Sequence, residues 1–494
     1  MNYTKIQELF LPANKINGSI SNDIANLTNL KILALHDNEL MGMIPSDIGS
    51  LFNLEQLLLH VNKLNGTLPS SLMNCTRLKT LILQVNLLEG DLSIVNFSKL
   101  IQLESIDLGN NLFTGNFPAS LFSCKSLTSI RLATNLFTGE IFPDIRALQS
   151  LSFLSISNNT FNNVTGAIRA LMGCRSLSTV ILSKNFYNES LPGDDNIIDS
   201  GGFQNVQVLS LGACQFNGQV PSWLTKLGKL EVLDLSHNGL IGTVPGWLGN
   251  LPNLFYLDLS QNFLSGNFPG ELTGLPRLTN TKEDDQMDQH YLGFPVWIQP
   301  DNFSSLQYNK LSNLPRAIYL NNNNLSGNIP VNIGQLKLIH NLDLSRNNFS
   351  GSIPSTISGL TNLEKLDLSG NHFSGEIPAS LKSLHFMSSF TVADNNLQGP
   401  IPTGGQFNTF PISSYEGNPG LCGDVLQRPC SAQSKTRDPS TMRKSPEKEI
   451  VIGLIPGICF GIGFFISFTL TVLTFSIYFL EKETFLELML KKLR

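Results

Sequence analysis

The stretch Leu342–Pro354 reads L-D-L-S-R-N-N-F-S-G-S-I-P, and variants of it recur along most of the chain. Their shared pattern is L-x-L-x-x-N-x-L-x-G-x-I-P, and its asparagine position can be followed through fifteen copies. Most copies are 24 residues apart, with longer intervals of 25, 26, 29 and 61 residues. The position is held by Asn14, Asn38, Asn62, Asn86, Asn111, Asn135, Asn159, Asn185, Cys214, Asn238, Asn262, Asn323, Asn347, Asn371 and Asn395.

A period in the twenties with this pattern is the signature of leucine-rich repeats. One such turn has a single short strand and cannot bury its leucines alone, so neighbouring turns must stack. We therefore predict an α/β solenoid, a right-handed superhelix with a continuous parallel β-sheet on its concave face. We call the recurring asparagine position the ladder position. We expect each ladder asparagine to point inward and to form hydrogen bonds with backbone groups at the bend.

Composition excludes several classes of function. The chain has 494 residues and a net charge of −5, which is too mild to indicate nucleic acid as a partner. No Ser-His-Asp set, phosphate loop or pair of catalytic carboxylates stands in a supporting context. We predict a protein that is not an enzyme and needs no cofactor and no metal.

Five of the seven cysteines fall into two groups; of the other two, Cys214 holds an asparagine position of the repeat and Cys459 lies in an apolar run. Cys75, Cys124 and Cys174 occupy a repeat position that is leucine elsewhere, so they are predicted to be buried free thiols. Cys422 and Cys430 follow the last repeat, and we predict that they form a disulfide that closes the open end of the solenoid. This bridge indicates an oxidising compartment.

Residues 450–480 form an apolar run of 31 residues without a charged side chain. About 20 residues suffice to cross a bilayer, so a transmembrane helix is predicted there. A polar linker at 431–449 precedes it, and a tail at 481–494 that is too short for a catalytic domain follows it. Gly453, Gly457 and Gly461 are spaced to let another membrane helix approach closely.

All N-x-S/T sequons precede the apolar run, so we predict that the repeats are extracellular and glycosylated. The first thirty residues contain no charged-then-apolar leader, and the first repeat has no cap before it. We therefore expect an N-terminally truncated product or gene model. The sequons are Asn2, Asn17, Asn26, Asn65, Asn74, Asn96, Asn158, Asn163, Asn188, Asn302, Asn324 and Asn348.

The repeats are interrupted once, by 37 extra residues at 279–315, which we call the island. A break of this length in a regular array is typical of a functional insertion. We thus expect about eleven repeats at 1–278, the island, four repeats at 316–402 and a cap at 403–430.

In its details the chain resembles plant leucine-rich-repeat receptors over residues 4–430. The resemblance rests on the L-S-G-N-I-P turn at Leu325–Pro330, the L-D-L-S strand at Leu342–Ser345 and the island before the last four repeats. Q-Y-N-K-L-S-N-L-P at Gln307–Pro315, and the cap with G-P-I-P-T-G-G-Q-F-N-T-F and E-G-N-P-G-L-C-G, are similar to the phytosulfokine and tyrosine-sulfated-glycopeptide receptors. The short tail is similar to that of the kinase-less receptor-like proteins.

This resemblance implies that the island folds onto the concave face and forms one wall of a peptide site. Its aromatic residues would then anchor a peptide, or alternatively form the island's own small core. A run of acidic residues at 283–288 is read as a solvated loop, because it lacks the turn glycine of a calcium loop. The candidate anchors are Tyr291, Phe294, Trp297, Phe303 and Tyr308.

On the concave strands, the residue between the two inward leucines is often aspartate, which we take as part of the repeat consensus. Departures from aspartate are candidates for ligand contact, namely Phe10, Leu58, Ile82, Arg131, Ile181 and Tyr319. Arg131 is suited to a carboxylate or sulfate. His36 and His60 lie at equivalent positions of neighbouring strands and are predicted to be surface residues rather than metal ligands.

The sequence therefore predicts a non-catalytic, single-pass receptor of the plasma membrane that recognises an extracellular ligand, most simply a peptide. By resemblance it would signal through adaptor and co-receptor leucine-rich-repeat kinases. The alternative is a repeat scaffold or inhibitor that binds a pathogen protein in defence.

Overall fold

The repeats build one long parallel sheet. The computed structural model describes residues 5–193, 202–279, 292–301 and 304–430. Within them, fifteen three-residue strands, one for each ladder position, pair side by side in parallel, which confirms the predicted solenoid. These strands are Glu8–Phe10, Ile32–Ala34, Gln56–Leu58, Thr80–Ile82, Ser105–Asp107, Ser129–Arg131, Phe153–Ser155, Thr179–Ile181, Val208–Ser210, Val232–Asp234, Tyr256–Asp258, Ala317–Tyr319, Asn341–Asp343, Lys365–Asp367 and Ser389–Thr391.

A second set of short parallel strands follows the ladder position in most repeats. It forms sheets of seven, two and six strands in the described part of the chain. The strands are Asn17–Gly18, Glu39–Gly42, Lys63–Gly66, Leu87–Asp91, Leu112–Asn116, Leu136–Glu140 and Thr160–Asn162; Asn217–Gly218 and Gly239–Leu240; and Ser265–Asn267, Asn324–Gly327, Asn348–Ser352, His372–Gly375, Asn396–Pro400 and Gly420–Cys422.

Short helices complete the turns. The α-helices span Val164–Leu171 and Pro276–Thr279. The described 3-10 helices are Asn22–Asn26, Ile48–Ser50, Ser70–Asn74, Leu92–Ile94, Phe97–Lys99, Ala119–Ser123, Pro143–Ala147, Ser222–Lys226, Gly246–Asn250, Gly270–Gly274, Leu311–Asn313, Val331–Gln335, Ser355–Gly359, Ala379–Ser383, Gly405–Asn408, Ile412–Ser414 and Asp424–Leu426. No helix in these described ranges is long and apolar enough to cross a membrane. The linker, the predicted membrane helix at 450–480 with its glycines, and the tail lie outside the described residues.

The ladder asparagines satisfy the backbone at the bend, as predicted. Asn86, for example, donates from Nδ2 to the carbonyl oxygens of Leu59 and Leu83 at 3.0 Å, and its Oδ1 accepts from the Leu64 N–H at 3.0 Å. Each side chain thus joins two adjacent turns through groups that would otherwise be buried without partners. Cys214 is the ladder residue that is not asparagine. Its thiol lies 3.5 Å from the Gly212 carbonyl oxygen, and a thiol forms only weak hydrogen bonds.

The cap continues this ladder, which the sequence analysis missed. Asn418 donates to the Val392 carbonyl at 2.8 Å and accepts from the Leu397 N–H at 2.9 Å, as a sixteenth ladder residue would. Asn418 follows Asn395 by 23 residues, close to the usual repeat length. The leucines that normally flank the ladder asparagine are missing, so the sequence pattern did not reveal this repeat. Just beyond it, the sulfur atoms of Cys422 and Cys430 are bonded to each other. The four described free cysteines, Cys75, Cys124, Cys174 and Cys214, are buried.

The longer interval between Asn159 and Asn185 accommodates the helix Val164–Leu171. Asn163 caps this helix in a left-handed conformation (φ 60°), with its Oδ1 accepting from the Gly166 N–H at 2.9 Å. The Glu189 carboxylate accepts from the backbone N–H groups of Asn163 and Val164 at 2.7 Å, where a negative charge suits the helix N-terminus. Asn163 is half-buried, so we do not expect a glycan there.

The other described sequons are accessible. Asn2 and Asn302 lie outside the described residues, and nine of the remaining asparagines are exposed. We keep these nine as proposed glycosylation sites. They are Asn17, Asn26, Asn65, Asn74, Asn96, Asn158, Asn188, Asn324 and Asn348.

Candidate functional site

The island contains an antiparallel hairpin. Its strands are Val296–Asp301 and Ser304–Tyr308, and their register places Val296 opposite Tyr308. It is inserted between the concave strands Tyr256–Asp258 and Ala317–Tyr319, which pair directly with each other. The sheet therefore runs on without a break beneath the insertion.

The segment Leu292–Val296, which we call the docking segment, reaches back to much earlier repeats. Phe294 and Val296 are buried against Phe153, with the two phenylalanine rings 5.5 Å apart and nearly perpendicular. Ile82 and Ile181 pack at the margin of this cluster. From Tyr256–Asp258 to Ser129–Arg131 is five strand spacings, about 24 Å. The island thus spans a large part of the concave face.

Arg131 fixes the docking segment. Its guanidinium lies 3.2 Å from the Asp107 carboxylate, and Nη2 donates a hydrogen bond to the Pro295 carbonyl oxygen. The same group lies 5.3 and 5.0 Å from the ring centres of Phe153 and Phe294, within range of cation–π attraction. The side chains of Arg131 and Asp107 are only 7% and 1% exposed. Our expectation that Arg131 is available to a ligand carboxylate or sulfate is therefore wrong, because the protein itself occupies it.

Strand register creates the ion pair. The parallel strands Ser105–Asp107 and Ser129–Arg131 align these two residues as direct neighbours. Burial raises the pKa of Asp107, and the nearby Arg131 charge and the Gly109 N–H offset only part of this effect. Burial likewise lowers the pKa of Arg131, with Asp107 opposing. An ion pair in such surroundings adds little net stability but specifies one arrangement of the chain.

Gly293 and Ser129 complete the contact, and sequence reasoning missed both. A Cβ atom on Gly293 would lie 2.2 Å from the Ser129 Oγ and 3.2 Å from the Phe153 Cβ. Only a residue without a side chain fits this close approach. The pair Gly293–Phe294 in the sequence could have suggested a close packing contact. Nothing in the sequence indicated that Gly293 packs against the strand Ser129–Arg131.

The return end of the island packs near its own insertion point. Leu311 and Leu314 are part of the main core there, whereas Tyr308, half-buried against that core, pairs with Val296 in the hairpin. Tyr319 is 8% exposed, its ring centre is 5.7 Å from that of Tyr256, and its hydroxyl accepts from Asn341 Nδ2 at 2.9 Å. The expectation that Tyr319 stands exposed on the concave face is wrong. The island boundary also shifts, since residues 311–315 belong to the solenoid.

The remaining candidates are scattered. Tyr291, Phe303 and the acidic residues 283–288 lie outside the described residues, and Trp297 lies in the first hairpin strand. Ile181 is half-buried beside the docking segment rather than free for a ligand. Phe10 is 63% exposed, but it lies at the far end of the sheet from the island. No group of three metal-binding side chains occurs in the described ranges.

Between the two attachments of the island, the concave face is polar. Ser210 donates to Asp234 at 2.7 Å, and the Asp258 carboxylate accepts from the Ser260 hydroxyl at 2.6 Å. Burial and the neighbouring Asp234 raise the pKa of Asp258 to about 7. This part of the sheet offers carboxylate and hydroxyl oxygens, the acceptors that peptide N–H groups require.

His36 and His60 stack on neighbouring strands, with ring centres 4.3 Å apart and planes 10° apart. The Nδ1 atoms of both rings are buried and have no hydrogen-bond partner. Burial, aided by the charge of His36, lowers the pKa of His60 to about 4, and burial also lowers that of His36. Protonation of this pair is therefore unfavourable in the folded protein.

We expect this pair to make stability depend on pH. Unfolded His60 takes up a proton below about pH 6.5, whereas folded His60 remains neutral until about pH 4. The unfolded state binds more protons in this window, so stability is full above pH 6.5 and falls as the pH decreases. Because His60 is only partly buried, solvent screening reduces the expected loss between pH 7 and pH 5 to about 1 kcal/mol.

Urea unfolding of the wild type and of His60→Gln at pH 7 and pH 5 measures this loss. The variant should lose less stability than the wild type, since only the contribution of His36 remains. His372→Gln, at an exposed position, is the matched control and should show the wild-type loss. Equal pH sensitivity of the wild type and His60→Gln would contradict the assignment.

Comparison with known proteins identifies the family to which this repeat architecture is related. Two models described as leucine-rich repeat match the chain, one at residues 204–264 and 229–280 and the other at 29–51, 102–124, 314–336, 339–360 and 362–384. The chain is 58% identical over 378 residues to Receptor-like protein 3 of Arabidopsis thaliana, covering 76% of this chain and 50% of that protein. The chain belongs to the plant leucine-rich-repeat receptors.

Two further similarities concern receptors named for their ligands. The chain is 63% identical over 275 residues to Phytosulfokine receptor 2 of Arabidopsis thaliana, covering 55% of this chain and 26% of that receptor. Among solved structures it is similar to the plant peptide hormone receptor RGFR1 in complex with RGF2, with a TM-score of 0.57 and 27% identity over 82% of this chain and 69% of that one. The chain spans half or less of the length of the curated relatives it matches.

Proposed function

We propose that this plant receptor is a non-catalytic, cell-surface protein that recognises an extracellular peptide in the groove between the island and the concave sheet. The observation that carries the proposal is the attachment of the island at two separated places. The docking segment, with Tyr308 paired opposite Val296, is held at Arg131. The chain joins the solenoid core again at Leu311 and Leu314, just before the strand Ala317–Tyr319. The names of the relatives, a phytosulfokine receptor and a peptide hormone receptor, support the ligand class.

The spacing of these attachments sets the ligand's length. From the strand Phe153–Ser155 to Tyr256–Asp258 is four strand spacings, about 19 Å. An extended peptide rises about 3.3 Å per residue, so about six residues fit this distance. Ser210, Asp234 and Asp258 lie on the intervening part of the sheet and would accept hydrogen bonds from its backbone N–H groups.

Removing the island tests the site. Leu311 and Leu314 are buried in the core of the solenoid, so only residues 280–309 are replaced by a short Gly-Ser linker. We expect at least a hundredfold loss of affinity for the peptide in calorimetry, because one wall of the groove is gone. The ligand is first found by screening peptides of about six residues, each with and without tyrosine sulfation.

Phe10→Ala, on the concave sheet far from the island, is the control and should bind with unchanged affinity. Circular dichroism must show that the deleted protein retains its sheet, since the strands on either side of the island pair directly. Unchanged affinity in a folded deletion variant would remove the island from the site.

The alternative function, recognition of a pathogen protein as a scaffold or inhibitor, is favoured by one feature. Phe10 is exposed, and Leu58 and Ile82 are partly so, on concave strands before the docking segment. An apolar surface of this kind suits a protein partner. Protein binding that survives island deletion but is lost in Phe10→Ala would establish this function instead.

We further propose that the signal passes through adaptor and co-receptor kinases at the plasma membrane. The apolar run at 450–480 and the glycines at 453, 457 and 461 are the sequence features that support this route. Ligand-dependent co-precipitation of a receptor kinase with the membrane-bound protein tests it, and its absence in the presence of bound ligand would contradict it.

A further inference from the structure

A basic pocket lies outside the concave face, across three successive repeats of which two have irregular lengths. Its volume is about 790 Å³, within the range of pockets that hold drug-sized molecules. It is lined by residues from the helix Pro143–Ala147, from the end of the helix Val164–Leu171 and from the turn at Phe203–Asn205. The 26- and 29-residue intervals of the ladder around Asn185 supply the extra chain that shapes it.

Three arginines line this pocket: Arg146, Arg169 and Arg175. All three are exposed, and no carboxylate is among the described lining residues. The charge of Arg146 is also felt at the buried thiol of Cys174, where it opposes the rise in pKa to about 11 that burial causes. In a chain of net negative charge, the guanidinium groups of Arg146 and Arg175 give this cavity a local positive potential.

The pocket is held in shape by hydrogen bonds. Arg146 Nη2 donates to the Arg169 carbonyl oxygen at 3.3 Å, and Gln149 Nε2 donates to the Gly173 carbonyl oxygen at 2.9 Å. A Cβ on Gly173 would lie 2.4 Å from Arg146 Cγ, so glycine lets the arginine stem lie against the backbone. Asn205 Nδ2 fixes the opposite side by donating to the Arg175 carbonyl oxygen at 3.0 Å.

The lining combines three kinds of group. Guanidinium groups pair with carboxylates in a planar, two-bond geometry. The Gln204 amide can both donate to and accept from hydroxyl groups, and the Gln149 amide oxygen can accept from them. Met172 and Phe203 add an apolar contribution beneath the polar groups. Carboxylates, hydroxyl groups and an apolar ring face occur together in acidic sugars.

We propose that this pocket binds an acidic oligosaccharide, a short chain of uronate residues, through Arg146 and Arg175. A free organic acid or an inorganic anion shares the negative charge but lacks the hydroxyl groups and the ring. The site does not depend on peptide binding at the island, since no residue of the island lines it among those described.

Calorimetry with the glycosylated full chain in detergent tests this site. The probes are a galacturonic acid tetramer, the same tetramer fully methyl-esterified, the monomer and inorganic sulfate. We expect measurable binding of the free tetramer only, weakening as salt is raised. The variant R146Q/R175Q should lose at least tenfold in affinity. The control R77Q/K63Q removes two charges elsewhere and should change affinity less than twofold.

Each other result overturns the proposal. Equal loss in the two double variants would show binding to net charge alone, and equal affinity for the esterified tetramer would remove the role of the guanidinium groups. Tight binding of sulfate alone would make the pocket a simple anion site. Asp194, Asp195 and Asp199 precede Phe203 in the sequence. Tetramer binding that appears only in D194N/D195N/D199N would show that the arginines serve the chain's own carboxylates.

Discussion

Replacing Arg131 with alanine is expected to destabilise the protein by about 3–5 kcal/mol and to release the docking segment from the concave face. The variant leaves the Asp107 carboxylate buried without its partner and removes the donor to the Pro295 carbonyl. Because burial already raises the pKa of Asp107, proton uptake at low pH should relieve part of the effect, so the deficit is smaller at pH 5 than at pH 8. Urea unfolding and hydrogen exchange at residues 292–296 measure the two consequences.

Two further variants separate the charge from the contact. R131M/D107N removes both charges and keeps an acceptor for the Gly109 N–H, so most of the stability should return while the docking segment stays loose. Gly293→Val leaves the ion pair intact but introduces a clash with Ser129 and Phe153, and it should also undock the segment.

Arg77→Ala is the control, since this exposed arginine makes one surface hydrogen bond to Asn53. Its effect should stay within about 0.5 kcal/mol. Exchange at residues 292–296 that is as slow in Arg131→Ala as in the wild type would show that Arg131 does not hold the island.

Replacing Asn185 with alanine is the second large effect, with an expected loss of about 2–4 kcal/mol. Asn185 is fully buried, donates to the carbonyl oxygens of Ile156 and Leu182 at 2.8 and 3.2 Å, and accepts from the Phe161 N–H at 3.2 Å. Alanine leaves these backbone groups buried without partners, and they belong to adjacent turns. The unfolding midpoint in urea measures the loss, reported as a midpoint because long repeat arrays can unfold in parts.

Two comparisons sharpen this result. Asn14→Ala changes the same ladder position where it is exposed, and it should cost less than about 0.5 kcal/mol. Asn185→Cys should lose less than Asn185→Ala, because the next ladder position already functions with Cys214, whose thiol lies near two carbonyl oxygens. Equal losses for the cysteine and alanine variants would mean that the thiol contributes nothing to the bend.

The repeat pattern determined the solenoid because the contacts that define it are local and periodic. A ladder asparagine meets carbonyl groups one turn away at a fixed spacing, so any copy of the motif predicts the contacts of the others. Asn418 shows the limit of this reasoning, since it makes the same bonds in a segment whose leucines no longer match. The island's existence and position could be read from one interval of 61 residues.

Only the tertiary structure decided what the island touches. Arg131 and Pro295 are 164 positions apart, and no periodicity relates them. From the sequence, Arg131 and Tyr319 looked exposed because the concave face of a bare solenoid is exposed. The folded-back segment buries Arg131, and Tyr319 packs against Tyr256 and bonds to Asn341. The exposure and the contacts of Arg131 and Tyr319 depend on which residues, distant in sequence, pack against them. Tertiary packing decides this, and the spacing of residues along the chain does not.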